Sequence, residues 1–262
     1  MRDLLNDLED GREGYNPMKA AQANMRPKLP KRFYKQVSVG MAEGGHTVLL
    51  DGRTARTTKK AVLVLPGQAL AEAVAAEFEA QATEIDAMSM PVLRICNPAI
   101  DAVTEAMDAV RADIVEYAGT DLLCYRAEGP DGLIAKQNAA WDGVIAGVER
   151  TIGGQRFALA QGVMHIEQRA ETLSAFANAL VPLTQNPFRL AAAHVMTTLT
   201  GSALLAYAVL AGQIEADAAW AAAHVDEDWT IEHWGADAEA TERRALRWRE
   251  MAAAAQVARL AL

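Results

Sequence analysis

Cysteine is nearly absent from this chain. Cys96 and Cys124 are the only two in 262 residues and follow no metal-ligand spacing, so a disulfide scaffold and a thiolate metal cluster are both excluded. Aromatic residues are scarce at 6%, which together with abundant alanine suits helices packed through small side chains. Positive charge is in deficit: the net charge is -9 and the pI near 5.1. That balance argues against nucleic acid or an anionic membrane as the main partner. The signatures of common chemistries are missing as well. There is no glycine-rich phosphate loop ending in Lys-Ser or Lys-Thr, no G-x-G-x-x-G after a strand, no H-E-x-x-H and no G-x-S-x-G. No cofactor and no metal are expected. The first thirty residues lack the apolar core of a secretory signal. Leu190 to Ile214 carries no formal charge, but His194, Thr197, Thr200, Gly201 and Ser202 interrupt it, so a buried central helix is expected there and membrane insertion is not.

What is present reads as α+β: a small N-terminal antiparallel β domain with one covering helix, followed by a larger all-α domain. Residues 1–30 mix polar residues with glycine and proline and predict a flexible arm. From Phe33 to Val39 apolar and polar residues alternate, the pattern of a strand, with Tyr34 on the face opposite Phe33 and Val37. A second apolar run covers Thr47–Leu50, Asp51-Gly52 is a strong two-residue hairpin signal, and Arg53–Thr58 and Ala61–Leu65 continue the meander until Pro66-Gly67. Leu70, Val74 and Phe78 recur every four residues, so a helix should lay an apolar stripe on the sheet. Pro91 and Pro98 predict an irregular passage through MSMPVLRICNPAI, and the domain boundary is placed there, giving 31–98 and 99–262.

Beyond it helical periodicity dominates. Asp101 is a candidate N-cap for a helix ending at Gly119; further helices are expected over Leu133–Val148, Glu171–Leu180, the apolar run opened by Asn186-Pro187, Asp217–His233 and Glu239–Arg259. His194 reads as a satisfied core histidine. The pair His165-x-Glu167 is a weak start to a metal site. An alternative function is an enzyme that binds a small ligand between the two domains with Asp121 or Glu167 as base.

The most informative stretch is Val225–Arg249, VDEDWTIEHWGADAEATERRALRWR, which holds three of the five tryptophans. Asp228 and Glu232 would lie one turn apart on a helix, a repulsive arrangement that a cation would relieve. Trp229 places apolar surface beside that acidic stripe, a mixture suited to gripping a partner. A local reading is open too: Arg243, Arg244, Arg247 and Arg249 of the next helix neutralise the acids, and the tryptophans are core.

Taken together, KRFYKQVSV, VLLDGRTARTTKKAVLVLP, ALAEAVAAEFEAQ, the MP of SMPVLRICNPAID, TDLLCYRAEGPDGLIAKQNAAWD and IEHWGADAEATERR occur in an order that resembles one family: the chaperones that assemble the F1 sector of ATP synthase by holding its alpha subunit. The resemblance spans most of Lys31 to Arg249. It implies a protein without cofactor or catalytic cycle, found in bacteria related to mitochondria or in the mitochondrial matrix. The acidic amino terminus favours the bacterial cytoplasm, and a monomer is expected. The partner implied is the alpha subunit, covered until beta arrives. Glu232, Trp234, Gly235, Asp237 and Glu239, inside the family-like motif, are the candidate partner-binding residues. Phe78, at a position that is often tryptophan in the family, is expected to have a structural role, as are Trp229 and Asp121.

Overall fold

A computed structural model describes residues 29–262 except Val163. The arm expected over residues 1–30 lies outside the described residues apart from Leu29 and Pro30. Two strands, β1 (Val37–Ala42) and β2 (Gly45–Leu50), pair antiparallel with Val39 opposite Val48, and β3 (Arg53–Thr54) adds a short third strand in the order β1-β2-β3. Asp51 and Gly52 both take positive φ, 49° and 76°, the twist-matched turn that an Asp-Gly pair favours. The return segment then pairs piecewise: Leu63 N donates to Ala55 O at 3.0 Å and Leu65 N to His46 O at 2.7 Å.

Phe33 does not open a strand. The backbone amides of Lys35 and Gln36 donate to the Asp51 carboxylate at 3.0 and 2.8 Å, so a side chain takes the place of a neighbouring strand. These bonds hold the Asp51 carboxyl below its usual range. Tyr34 is the buried member of the pair and Phe33 is exposed. The Tyr34 hydroxyl donates to Phe78 O at 2.8 Å and the two rings meet edge-on. Helix α1 (Gln68–Glu79) covers the sheet as its periodicity predicts. It buries Leu70, Val74 and Phe78 against β1 and β2, each side chain contributing roughly 1.5–3 kcal/mol on leaving water.

The passage read as irregular is instead a helix, α2 (Pro91–Asp101), with Pro98 inside it. Pro91 sits in the first turn, where its missing N–H costs nothing. The Glu77 carboxylate caps that end, accepting from Val92 N at 2.7 Å and Leu93 N at 2.8 Å. Pro98 forfeits one bond near the other end, and burial of Val92, Ile95, Cys96 and Ala99 outweighs that loss. The expected division between residues 98 and 99 falls within α2, which packs on α1 and on later helices. Asp101 is not an N-cap. Its carboxylate is taken by the β meander, accepting from Thr57 Oγ1 at 2.5 Å and Lys59 N at 3.0 Å, so α3 (Met107–Gly119) starts six residues later.

After α3, β4 (Tyr125–Arg126) pairs parallel with β5 (Ala160–Gln161) across α4 (Asp131–Thr151). Then follows α5 (Ala170–Leu180). The uncharged run is not one helix but two, α6 (Pro187–Thr200) and α7 (Ala203–Leu210). Gly201 ends α6 in the left-handed region at φ 67°, and Ser202 caps α7 by accepting from Leu205 N at 3.0 Å. Buried along most of its length, α6 is the axis of the helical part and touches α2, α3, α7 and two later helices. Residues 217–233 are also split, into α8 (Ala216–Ala223) and α9 (Val225–Trp234), because the His224 backbone leaves the helical range at φ -117°, ψ 19°. The last helix is α10 (Ala238–Leu260). Among the described residues no helix is long and apolar enough to cross a membrane.

Candidate functional site

Asp226, Glu227 and Asp228 fill the first turn of α9, where the exposed amides and the helix dipole favour negative charge. One part of the acidic run therefore serves the helix itself. Lysine and arginine side chains answer three of the acids. Lys136 of α4 pairs with Glu232, Arg244 of α10 pairs with Asp228, and Arg243 pairs with Glu239 one turn away. Gln137 Nε2 donates to Asp226 Oδ1 at 2.7 Å. The cation that the Asp228–Glu232 stripe calls for is thus supplied from within the chain, and the local reading holds for Arg243 and Arg244, while Glu232 is answered from α4.

On the tryptophans it does not hold throughout. Trp229 is half-buried: its ring stacks on His233 at 4.0 Å, lies against Gly132 of α4 and sits 5.4 Å below Lys136 Nζ. Trp248 is half-buried beside Trp220 at 5.7 Å. Trp234, by contrast, is 76% exposed. It closes α9 because Gly235 adopts φ 89°, ψ 164°, a conformation that glycine alone accepts without strain. Asp237 then caps α10, accepting from Ala240 N at 2.7 Å. Glu232, Trp234, Gly235, Asp237 and Glu239 are all exposed around this one corner. Beside it a shallow groove of about 470 Å³ runs between α4 and the α8–α9 pair, with Ala140, Ala222 and Val225 on its floor and Lys136, Asp228 and Glu232 at its rim. A larger groove of about 980 Å³ lies near the α7–α8 link and α10, against Leu210, Ile214, Trp248 and Arg259. None of the five candidate residues lines it.

Sequence reasoning missed the α4 side of this corner. Gly132, Lys136 and Gln137 meet α9 across nearly a hundred residues, and no spacing rule links them. Gly132 cannot carry a side chain without displacing Trp229, since a Cβ there would lie 2.7 Å from the ring.

Asp121 is fully buried and lines neither groove. Its carboxylate accepts from Leu123 N at 3.0 Å, Ser202 Oγ at 2.7 Å and Leu204 N at 3.0 Å, fixing the start of α7. Burial pushes its carboxyl up to about 6 against those hydrogen bonds, which pull it down. Every oxygen is committed, so it cannot serve as the base of a ligand site. Glu167 is exposed on a loop, and His165 beside it is 3.4 Å from the Tyr125 hydroxyl. Among the described residues no three His, Cys, Asp or Glu side chains are grouped to hold a metal. His194 is not a core histidine: it is partly exposed and meets Asp113 Oδ2 at 2.6 Å. Burial raises both cysteine thiols, Cys124 to about 12, which leaves them protonated and unreactive.

Residues 31–149 match the family model described as ATP12 chaperone protein. A solved structure from Agrobacterium tumefaciens, described as a candidate chaperone, is 47% identical, with a TM-score of 0.85 over 99% of this chain and 97% of that one. Atp12 from Paracoccus denitrificans is 37% identical, with a TM-score of 0.82 over 89% of this chain and 99% of that one. A fold and a sequence shared over this length establish that the chain belongs to the ATP12 chaperone protein family, the ATP synthase assembly chaperones that its motifs resemble.

Proposed function

We propose that this chain binds the unassembled alpha subunit of F1, keeps it from aggregating and hands it on when beta docks, without cofactor or catalytic cycle. An isolated alpha subunit would expose the surfaces that it later buries against beta, and exposed apolar patches associate with whatever is available. A chaperone for such a surface needs apolar area that it can offer without losing its own fold. Trp234 is the observation that carries this reading. A tryptophan left 76% exposed at a helix end, ringed by Glu232, Gly235, Asp237 and Glu239, has the composition of a binding hot spot with a charged rim. Phe78, Trp229 and Asp121 act as structural residues. The bacterial origin of both relatives supports action in the bacterial cytoplasm.

The test is the solubility of purified alpha subunit diluted into buffer with a stoichiometric amount of the chain. Wild type should hold alpha in solution. Trp234→Ala should keep its fold, because the ring makes few contacts, and should weaken the complex by roughly tenfold or more. If Trp234→Ala combined with Glu232→Lys protects alpha as well as wild type does, the α9–α10 corner is not the gripping surface.

A further inference from the structure

The two parts of the chain carry opposite charge. Residues 31–67 hold seven lysines and arginines against two acids, a net charge of +5, so the other 225 residues carry -14. Four of the seven, Arg53, Arg56, Lys59 and Lys60, fall within eight residues and are all exposed. Among the described residues none of the four forms an ion pair. Lys59 Nζ donates to the backbone carbonyl of Asp101 at 3.0 Å, and one Arg56 nitrogen donates to Lys60 O at 2.8 Å. The α9–α10 corner differs, since there Glu227, Asp228, Glu232 and Glu239 each have a lysine or arginine within 4 Å.

The same loop borders the outward face of the sheet. Along residues 55–57 and 62–65 burial alternates: Ala55, Thr57, Leu63 and Leu65 point to the α1 side and are buried, while Arg56 and Val62, which bridge one another, point away and are exposed. Val62 is 37% exposed, and Leu49 and Val64 are partly so. No described helix covers this face. A β surface with partly exposed aliphatic side chains and unpaired cations is what a protein interface offers to an acidic partner.

We propose that this face is a second contact surface and that it takes an acidic segment of the client protein. The cations would supply orientation and rate, and Leu49, Val62 and Val64 the contact area. An uneven division of charge between this face and the rest of the chain would also favour one orientation of the client. The inference rests on the chaperone reading for the existence of a client but concerns a different surface from the one proposed above.

Equilibrium binding of purified alpha subunit at low and high salt would be measured for three proteins: wild type, Trp234→Ala, and a charge-reversed Arg53→Glu/Arg56→Glu/Lys60→Glu variant. The corresponding glutamine triple would serve if reversal harms the fold. The expected result is a loss of affinity of about tenfold for the reversed variant, with most of the salt dependence abolished. Wild-type affinity for alpha with an unchanged reversed variant would overturn this inference and leave the α9–α10 reading standing. No binding of alpha by wild type would overturn the chaperone reading itself. In parallel, full-length wild type would be offered polyglutamate, phosphatidylglycerol vesicles and a single-stranded oligonucleotide. Competition with alpha by polyglutamate supports the proposal, and tighter binding of vesicles or oligonucleotide than of polyglutamate contradicts it.

Discussion

Asp121 shows how much one side chain can hold. Three donors from two segments converge on its carboxylate, and Ser202 carries the link onward to the first turn of α7. Its pKa is raised from 3.8 in a solvated reference to about 6. The folded state therefore binds the proton more tightly than the unfolded chain. The stabilising contribution is fully present below the unfolded value and is lost as pH rises through about 6, which is worth about 1 kcal/mol between pH 5 and pH 7. Glu77, raised to about 6 by burial at the start of α2, acts in the same direction. Asp121→Asn should lower stability and also flatten this pH dependence; urea unfolding at pH 5 and pH 7 measures both. Gly45 is constrained differently, by space. A Cβ there would lie 2.3 Å from Leu65 O, a backbone atom fixed in the pairing with His46. Gly45→Ala should cost about 1–3 kcal/mol in the same unfolding assay. The family resemblance implies a structural role for Asp121, but the residues themselves do not show that Ser202 lies beside it or that Leu65 O closes on Gly45.

Among elements, those with strong local signals form where they are expected. The Asp51-Gly52 turn, the α1 stripe, Gly119 at the end of α3 and Asn186-Pro187 at the start of α6 need no long-range information. Misreadings arose where a tertiary contact overrode a local rule. Proline in α2 reads as a breaker until Glu77, fifteen residues earlier, is seen to cap the helix. Residues 190–214 read as one helix because their lack of charge dominates the pattern, yet Thr200-Gly201-Ser202 held the information needed: a glycine that stops one helix beside a serine that starts the next. Ser202→Ala should destabilise the protein by about 1–2 kcal/mol, since Leu205 N loses its acceptor and Asp121 loses a donor. Combined with Asp121→Asn its cost should be less than additive, because the two share one hydrogen bond; thermal unfolding of the single and double variants checks this. The candidate site was half legible. Its α9–α10 side is contiguous and rich in tryptophan and acid, whereas Lys136 and Gly132 are brought in by the packing of α4.

Across the whole molecule charge is unevenly divided: residues 31–67 carry +5 and the other 225 carry -14, and an exposed tryptophan stands at a helix corner. Long-range attraction between complementary surfaces speeds encounter more than it tightens the final complex, and salt screens it. The association rate with alpha should therefore fall several-fold between 50 and 500 mM salt, while the dissociation rate changes little; stopped-flow mixing monitored by tryptophan fluorescence distinguishes the two. Behind this lies the claim that the chain selects alpha, and titration calorimetry of the purified protein against isolated alpha and isolated beta addresses it most directly. A saturable one-to-one complex with alpha, weakened in Trp234→Ala, and no heat with beta is the predicted result. Equal binding of both subunits, or binding of neither, would contradict it.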